Sequence, residues 1–229
     1  MDAGHLKAAF AHWGVKVERR LAGGHRNDVF LVQKGQVSFV AKTTSHSEAS
    51  LRWLLPVLAV AQAVGLAPPL LQQDGSGRLA PGGVTLEPYL SGQSADTVTL
   101  HRIAPRLRRL HARLSRYPLR PIIARSTPPP TQHILALRRA QKGWAHRART
   151  VIHGDVTPNN VLLTENGFSL IDWDEARVDY PSLDLPAPLQ HRSIRDIRLR
   201  REVVFGWYAE PDYARRLARR LKARRAPGA

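Results

Sequence analysis

The sequence predicts an α+β protein of two lobes: a small antiparallel sheet in residues 1–90 and a mainly helical lobe in residues 91–229. Three observations predict it. Short β-rich runs broken by glycine turns fill the first 90 residues. From Ser91 onward, apolar residues recur mainly at helical spacing. The chain has 229 residues, 43% of them hydrophobic, enough for one generous domain or two lobes sharing a cleft.

Val15–Leu21 alternates and is broken by Gly23-Gly24. Val29–Gln33 and Val37–Lys42 then read as a hairpin joined across Lys34-Gly35. Leu51, Leu54, Leu55 and Leu58 fall on one helical face, with Pro56 predicting a kink or a late start. This is the single helix expected against the first sheet. Leu70–Gln73 and Val84–Leu90 read as a further strand pair around Asp74-Gly-Ser-Gly77.

In the second lobe, Leu100, Ile103, Leu107, Leu110 and Leu114 mark one helix, and a second is expected over about Gln132–His146. Between them, Ser126–Thr131 with its three prolines is a loop. Val151-Ile152 is a short strand, Asn166-Gly167 closes a hairpin from Val161–Leu163 to Phe168–Ile171, and two helices end the chain.

The 35 Lys+Arg outnumber the 18 Asp+Glu, giving +17 and favouring anionic partners. Cysteine is absent, which excludes disulfide scaffolds, thiolate zinc sites and thiol nucleophiles. Met1–Gly14 lacks the basic start and apolar core of a signal peptide. Leu54–Leu71 is apolar but broken by Pro56, Gly65, Pro68 and Pro69, so a buried helix and loop is expected rather than a membrane span. The expectation is a cytoplasmic protein.

Chemistry concentrates in His153-Gly-Asp-Val-Thr-Pro-Asn-Asn160 and Ile171-Asp-Trp-Asp174. Asp155 and Asn160 lie in a loop leaving a strand, and Asp172 ends the hairpin that follows. That hairpin would bring Asn160 and Asp172 to one end, where their oxygens suit Mg²⁺. Asp155 remains free to accept a hydroxyl proton. Phosphoryl transfer needs this combination: ligands for a charge-neutralising cation and a carboxylate for the nucleophile.

The run HGDVTPNNVLL…LIDWDEA resembles the catalytic and metal-binding loops of the aminoglycoside phosphotransferase/choline kinase family, a branch of the protein-kinase-like fold. The resemblance implies that Asp155 is the catalytic aspartate and that Asn160 and Asp172 hold Mg²⁺. Thr157 and Asn159 depart from the His and Gly that relatives often carry. The resemblance also implies an ATP site: Gly23 and Gly24 over the phosphates, Lys42 on the α- and β-phosphates, and Glu87-Pro88-Tyr89-Leu90 as the hinge whose backbone meets the adenine edge, with Glu87 and Tyr89 as its candidate contacts. Glu48 is the candidate glutamate to pair with Lys42. Asp184 matches a family aspartate that braces the catalytic loop.

The expected activity is ATP- and Mg²⁺-dependent transfer of a γ-phosphoryl group to a hydroxyl of a small molecule. The alternative is a nucleotide-sensing or nucleic-acid-binding module that kept this fold and lost catalysis. Thr97–Gly154 holds thirteen Lys+Arg and no Asp or Glu. An acidic wall would therefore have to come from Asp174, Glu175, Asp179, Asp196, Glu202, Glu210 or Asp212, and a neutral or anionic acceptor is favoured over a polycationic one. Arg102, Arg106, Arg109, Arg113 and Arg116 form either a phosphate-attracting stripe or a solvated helix face. The terminal helix carries a narrow Tyr213/Leu217/Leu221 stripe among arginines. It is either an ordinary docked helix or a contact for acidic membrane or RNA.

Overall fold

The computed structural model describes residues 2–21, 27–121, 129–144, 147–186, 189–209 and 211–223. It opens with a helix that the apolar pattern does not announce, α1 (Ala3–Trp13). The Asp2 side chain caps it by accepting from His5 N, and Gly14, at φ 63°, ends it. The periodicity is faint because only Ala9 and Trp13 are buried.

Strands β1 (Lys16–Arg20), β2 (Val29–Lys34), β3 (Val37–Thr43) and β4 (Val84–Pro88) form one antiparallel sheet in chain order. The β2–β3 hairpin pairs Lys34 with Val37 around a turn that uses Gly35 at φ 61°. Val32, Ala41, Val84 and Leu86 point to one face and pack on Ala9 and Trp13. Trp13 adds a 2.9 Å bond from Nε1 to Val84 O. Along β4 the alternation sends Thr85 and Glu87 to the opposite face, toward Lys42.

Helix α2 (Glu48–Ala63) is capped by Ser47 and runs unbroken across Pro56, so the late start expected there does not occur. Its role also differs from the sequence expectation: the helix packed on the apolar face of the sheet is α1. The Trp53, Leu54, Val57, Leu58 and Ala61 side chains of α2 instead join a core with α3 (Thr97–Arg113) and the strands that follow. Leu70–Gln73 is not a strand. It sends one hydrogen bond, Gln72 N to Leu86 O, while Asp74 Oδ1 collects Ser76 N and Arg78 N in a side-chain-closed turn.

Strand β5 (Gln93–Ser94) pairs with β7 (Val161–Thr164), which forms a hairpin with β8 (Gly167–Leu170). In α3 the five apolar residues named from the sequence are all buried or cap the helix, and Arg102, Arg109, Arg113 and Arg116 face solvent. Arg106 lies over the Phe168 ring. Helix α4 (Thr131–Ala140) is shorter than expected and gives way to a 3₁₀ turn at Lys142–Trp144. Strand β6 (Thr150–Ile152) pairs with β9 (Arg177–Asp179). Helices α5 (Arg192–Ala209) and α6 (Pro211–Ala223) close the chain. Ala214 and Leu217 are buried, as in an ordinary docked terminal helix. Among the described residues no helix is long and apolar enough to cross a membrane.

Removing the α1 anchor tests its contribution. Trp13→Ala should lower stability by about 3–5 kcal/mol, the usual cost of emptying a buried aromatic site. Trp13→Phe should lose much less. Urea unfolding midpoints would check both.

Candidate active site

A fully buried carboxylate organises the loop after β6. Asp184 ends the 3₁₀ turn Pro181–Asp184 and is 0% exposed. Its oxygens accept His153 N at 2.7 Å, Gly154 N at 2.7 Å and His111 Nε2 at 3.0 Å. Burial alone would raise its pKa, but these donors and the nearby histidines hold it below the usual carboxylate range. His153 is equally buried: Nδ1 accepts from Asp155 N, Nε2 donates to Ile171 O, and the ring stacks edge-on against Trp173. Gly154 has φ 91°, and a Cβ there would meet Glu175 O at 2.6 Å, so a side chain is excluded.

The loop then carries Asp155 into a half-exposed position and enters the 3₁₀ turn Pro158–Asn160. Asn160 Nδ2 donates to Asp155 Oδ2 at 2.9 Å and to Asp155 O at 3.0 Å. Both donations point Asn160 Oδ1 away from Asp155. The β7–β8 hairpin pairs Val161 with Leu170, and Ile171 N bonds Asn160 O, so Asn160 and Asp172 meet at one end of it. Asp172 is a non-glycine residue at φ 62°, strain that the flanking hairpin and the Trp173–Glu175 turn maintain.

Across the cleft, Lys42 reaches down from β3. Its Nζ lies 2.6 Å from Asp172 Oδ1 and 3.3 Å from Asp174 Oδ2. Burial opposes its charge, but Asp174, Glu87 and Asp172 together outweigh burial and raise its pKa. Asp174 also accepts from Asn27 Nδ2 at 2.7 Å, and its pKa is lowered by Lys42 and His46 against the effect of burial. Burial pushes the Glu87 carboxyl up to about 7, with Lys42 opposing.

Two sequence expectations change. Glu48 does not meet Lys42: it pairs with Arg52 at 3.0 Å and accepts Leu79 N, because it sits at the first turn of a helix that faces the second core. Asp172 and Asp174 take the lysine instead. Second, Tyr89 N is bonded to Ser38 O, and Glu87 lies opposite Val40 in the same antiparallel register. Alternation along the ladder therefore turns the backbone groups of Glu87 and Tyr89 toward β3, not toward a base at the strand's outer edge. The Glu87 side chain itself enters the cleft beside Lys42 and Thr85. Gly23 and Gly24 lie outside the described residues.

Two contacts escaped the sequence. Arg120 donates to Ser50 Oγ, Asp174 O and Ala176 O, tying α2 to the turn after Asp172. Arg198 of α5 donates to Asp155 Oδ1 at 3.0 Å. Neither arginine stands in a motif, and 43 residues separate Arg198 from Asp155. Only the adjacent Asp174 had a visible signal, the repeated acid of Ile171-Asp-Trp-Asp174.

A sheet carrying a cleft-facing lysine over a helical lobe with this paired loop defines a bilobal, protein-kinase-like α+β fold. The sequence pattern of the phosphotransferase enzyme family matches residues 17–219, and the chain belongs to that family of small-molecule phosphotransferases. Solved structures share the fold at low identity. The aminoglycoside phosphotransferase APH(4)-Ia, in a ternary complex with AMP-PNP and hygromycin B, is 14% identical with a TM-score of 0.60, covering 100% of both chains. The aminoglycoside phosphotransferase APH(2″)-IIIa, complexed with GDP and kanamycin, is 14% identical with a TM-score of 0.57 and the same coverage. A choline/ethanolamine kinase family protein from Mesorhizobium loti is 17% identical with a TM-score of 0.56, covering 90% of this chain and 85% of its own.

The bracing role of Asp184 has a pH signature. An asparagine there offers one acceptor oxygen, so one of the two loop N–H groups would face an amide NH₂. Asp184→Asn should therefore cost about 2–5 kcal/mol at pH 7, as for breaking a buried charged hydrogen-bond set. Because the folded pKa is depressed, the carboxylate's stabilisation is present above about pH 4, the unfolded value, and is lost as pH falls through the folded value. The wild-type advantage over Asp184→Asn should thus narrow below about pH 4, which denaturant titrations across pH would reveal.

Proposed function

We propose that this phosphotransferase moves the γ-phosphoryl group of ATP to a hydroxyl of a small molecule, with Mg²⁺. The observation that carries the reading is the convergence of Lys42, Asp172, Asn160 and Asp155 on one cleft. The nucleotide-bound structures that share the fold support it.

Lys42 would hold the α- and β-phosphates, with Thr85 and Glu87 on the wall beside it. The backbone groups turned away from β3 next to the adenine edge are then Pro88 C=O and Leu90 N–H rather than those of Glu87 and Tyr89. Gly23 and Gly24 remain the proposed phosphate loop.

The donor set fits magnesium. Asn160 Oδ1 is directed away from Asp155, Asp172 is a half-exposed carboxylate, and both are hard oxygens. Among the described residues no group of three or more His, Cys, Asp or Glu forms a metal cage, in keeping with an ion that relies on one or two carboxylates plus phosphate and water. When bound, Mg²⁺ would neutralise charge on the phosphate oxygens.

Asp155 would receive the acceptor hydroxyl, with Asn160 and Arg198 holding one carboxylate oxygen each. The hydroxyl oxygen forms the new O–P bond as the bridging β–γ bond breaks. Asp155 takes the hydroxyl proton, and ADP leaves with the electron pair of the broken bond. The non-catalytic alternative leaves the joint placement of Asp155, Asn160 and Asp172 without a purpose.

Two substitutions test the roles. A nucleotide at about 100 times its Kd adds about 2.7 kcal/mol of stability. Asp172→Ala should abolish the magnesium-dependent part of that gain in thermal shift, and full retention would refute the metal assignment. Asp155→Asn should lower kcat by about 10²–10⁴, the range for a positioned base, with nucleotide affinity little changed. Near-normal kcat would remove Asp155 from the reaction.

A further inference from the structure

We propose that Arg198, with Arg195 one turn earlier on α5, forms an oxyanion subsite, so that the phosphate acceptor carries a carboxylate or phosphate near the hydroxyl it offers. This rests on the kinase reading of Asp155.

Arg198 is the one cationic side chain that the described structure places in direct contact with Asp155. Its side chain is 18% exposed, against 41% for that of Asp155, so the guanidinium is largely desolvated while the carboxylate opens to solvent. Among the described residues its hydrogen bond goes to Asp155 alone, through Nη2, and its Nε lies 3.6 Å from Glu202 Oε1. A guanidinium has five N–H donors in a planar fork, so the Nη1 edge remains for a second oxyanion, the geometry that carboxylate and phosphate match.

The surroundings favour an anion there. Arg195 is exposed at i−3, on the same helix face as Arg198, and has no ion-pair partner among the described residues. Three other charged residues of α5 are engaged: Asp196 with Arg200 at 2.7 Å, and Arg201 with Asp179. Thr97–Gly154 contributes no carboxylate to this side of the cleft. An ammonium approaching Asp155 would meet Arg198 within contact distance. An acceptor anion would instead bridge Arg198 and Arg195 and place its neighbouring hydroxyl on Asp155.

Paired probes test the subsite on the intact protein loaded with Mg-AMP-PNP, with binding read by calorimetry. D-Glycerate and glycerol 3-phosphate are compared with glycerol, gluconate with glucitol, and choline and kanamycin represent cations. At least one anionic probe should bind about tenfold or more tightly than its neutral counterpart, as for a desolvated charge pair. The glycerate and glycerol phosphate arms separate a carboxylate from a phosphate preference. Arg198→Gln should leave Mg-AMP-PNP affinity in place and weaken the anionic probes far more than the neutral ones, erasing the anionic advantage; Arg198→Lys should restore part of it, and Arg195→Gln should reduce it. The proposal is overturned if no anionic probe outbinds its neutral counterpart, if a cation binds as tightly, or if Arg198→Gln weakens all probes alike, the mark of a purely structural role. Should Arg198→Gln not fold, an unchanged preference in Arg195→Gln and Arg198→Lys overturns it equally. Failure of the wild type to bind Mg-AMP-PNP would strike the kinase reading itself.

Discussion

The buried charge of Asp184 is the constraint around which the site is built. An ionised carboxylate with no exposure is tolerable only when its lone pairs are filled. Filling them takes the N–H groups of His153 and Gly154 and the His111 ring, which fixes the path of the chain out of β6. His153 passes that order on, accepting Asp155 N and donating to the carbonyl just before Asp172. The proposed base and the proposed metal aspartate therefore share one hydrogen-bonded scaffold. Gly154 completes it, since any Cβ would strike Glu175.

Lys42 joins that scaffold to the sheet. One ammonium faces Asp172, Asp174 and Glu87, an acidic cluster inside a chain of net charge +17. Burial, with Asp174 and Asp172 adding to it, pushes Glu87 up to about 7, while the three carboxylates hold Lys42 charged against its own burial. Such a cluster is poorly neutralised by one lysine and well suited to a cation arriving with polyphosphate. On the far side of Asp155 stands the Arg198 guanidinium of α5, with Glu202 at 3.6 Å from its Nε. The cleft is thus acidic at the proposed cation site and carries a guanidinium at the proposed acceptor site. Exposed arginines elsewhere are screened within about 8–10 Å and contribute little to this local pattern.

The sequence by itself determined the elements whose order is local. The β2–β3 and β7–β8 hairpins follow from their turn residues, and the buried leucine face of α3 follows from its 3.6-residue period. The meeting of Asn160 with Asp172 was legible for the same reason, because a short hairpin fixes which residues share its open end. Helix α1 was not legible, since two buried residues give no periodic signal and its anchor is one tryptophan bonded across 71 positions. Tertiary structure alone decided the partners that charged side chains find on other elements. Glu48 has the right type and a plausible place for Lys42, yet α2 turns toward the second core and Asp172 and Asp174 take the lysine. It also decided that Glu87 and Tyr89 spend their backbone groups on β3, and that Arg198 closes on Asp155. Ion pairs and strand register depend on how separate elements pack, and long-range packing leaves no mark at the spacing of neighbouring residues.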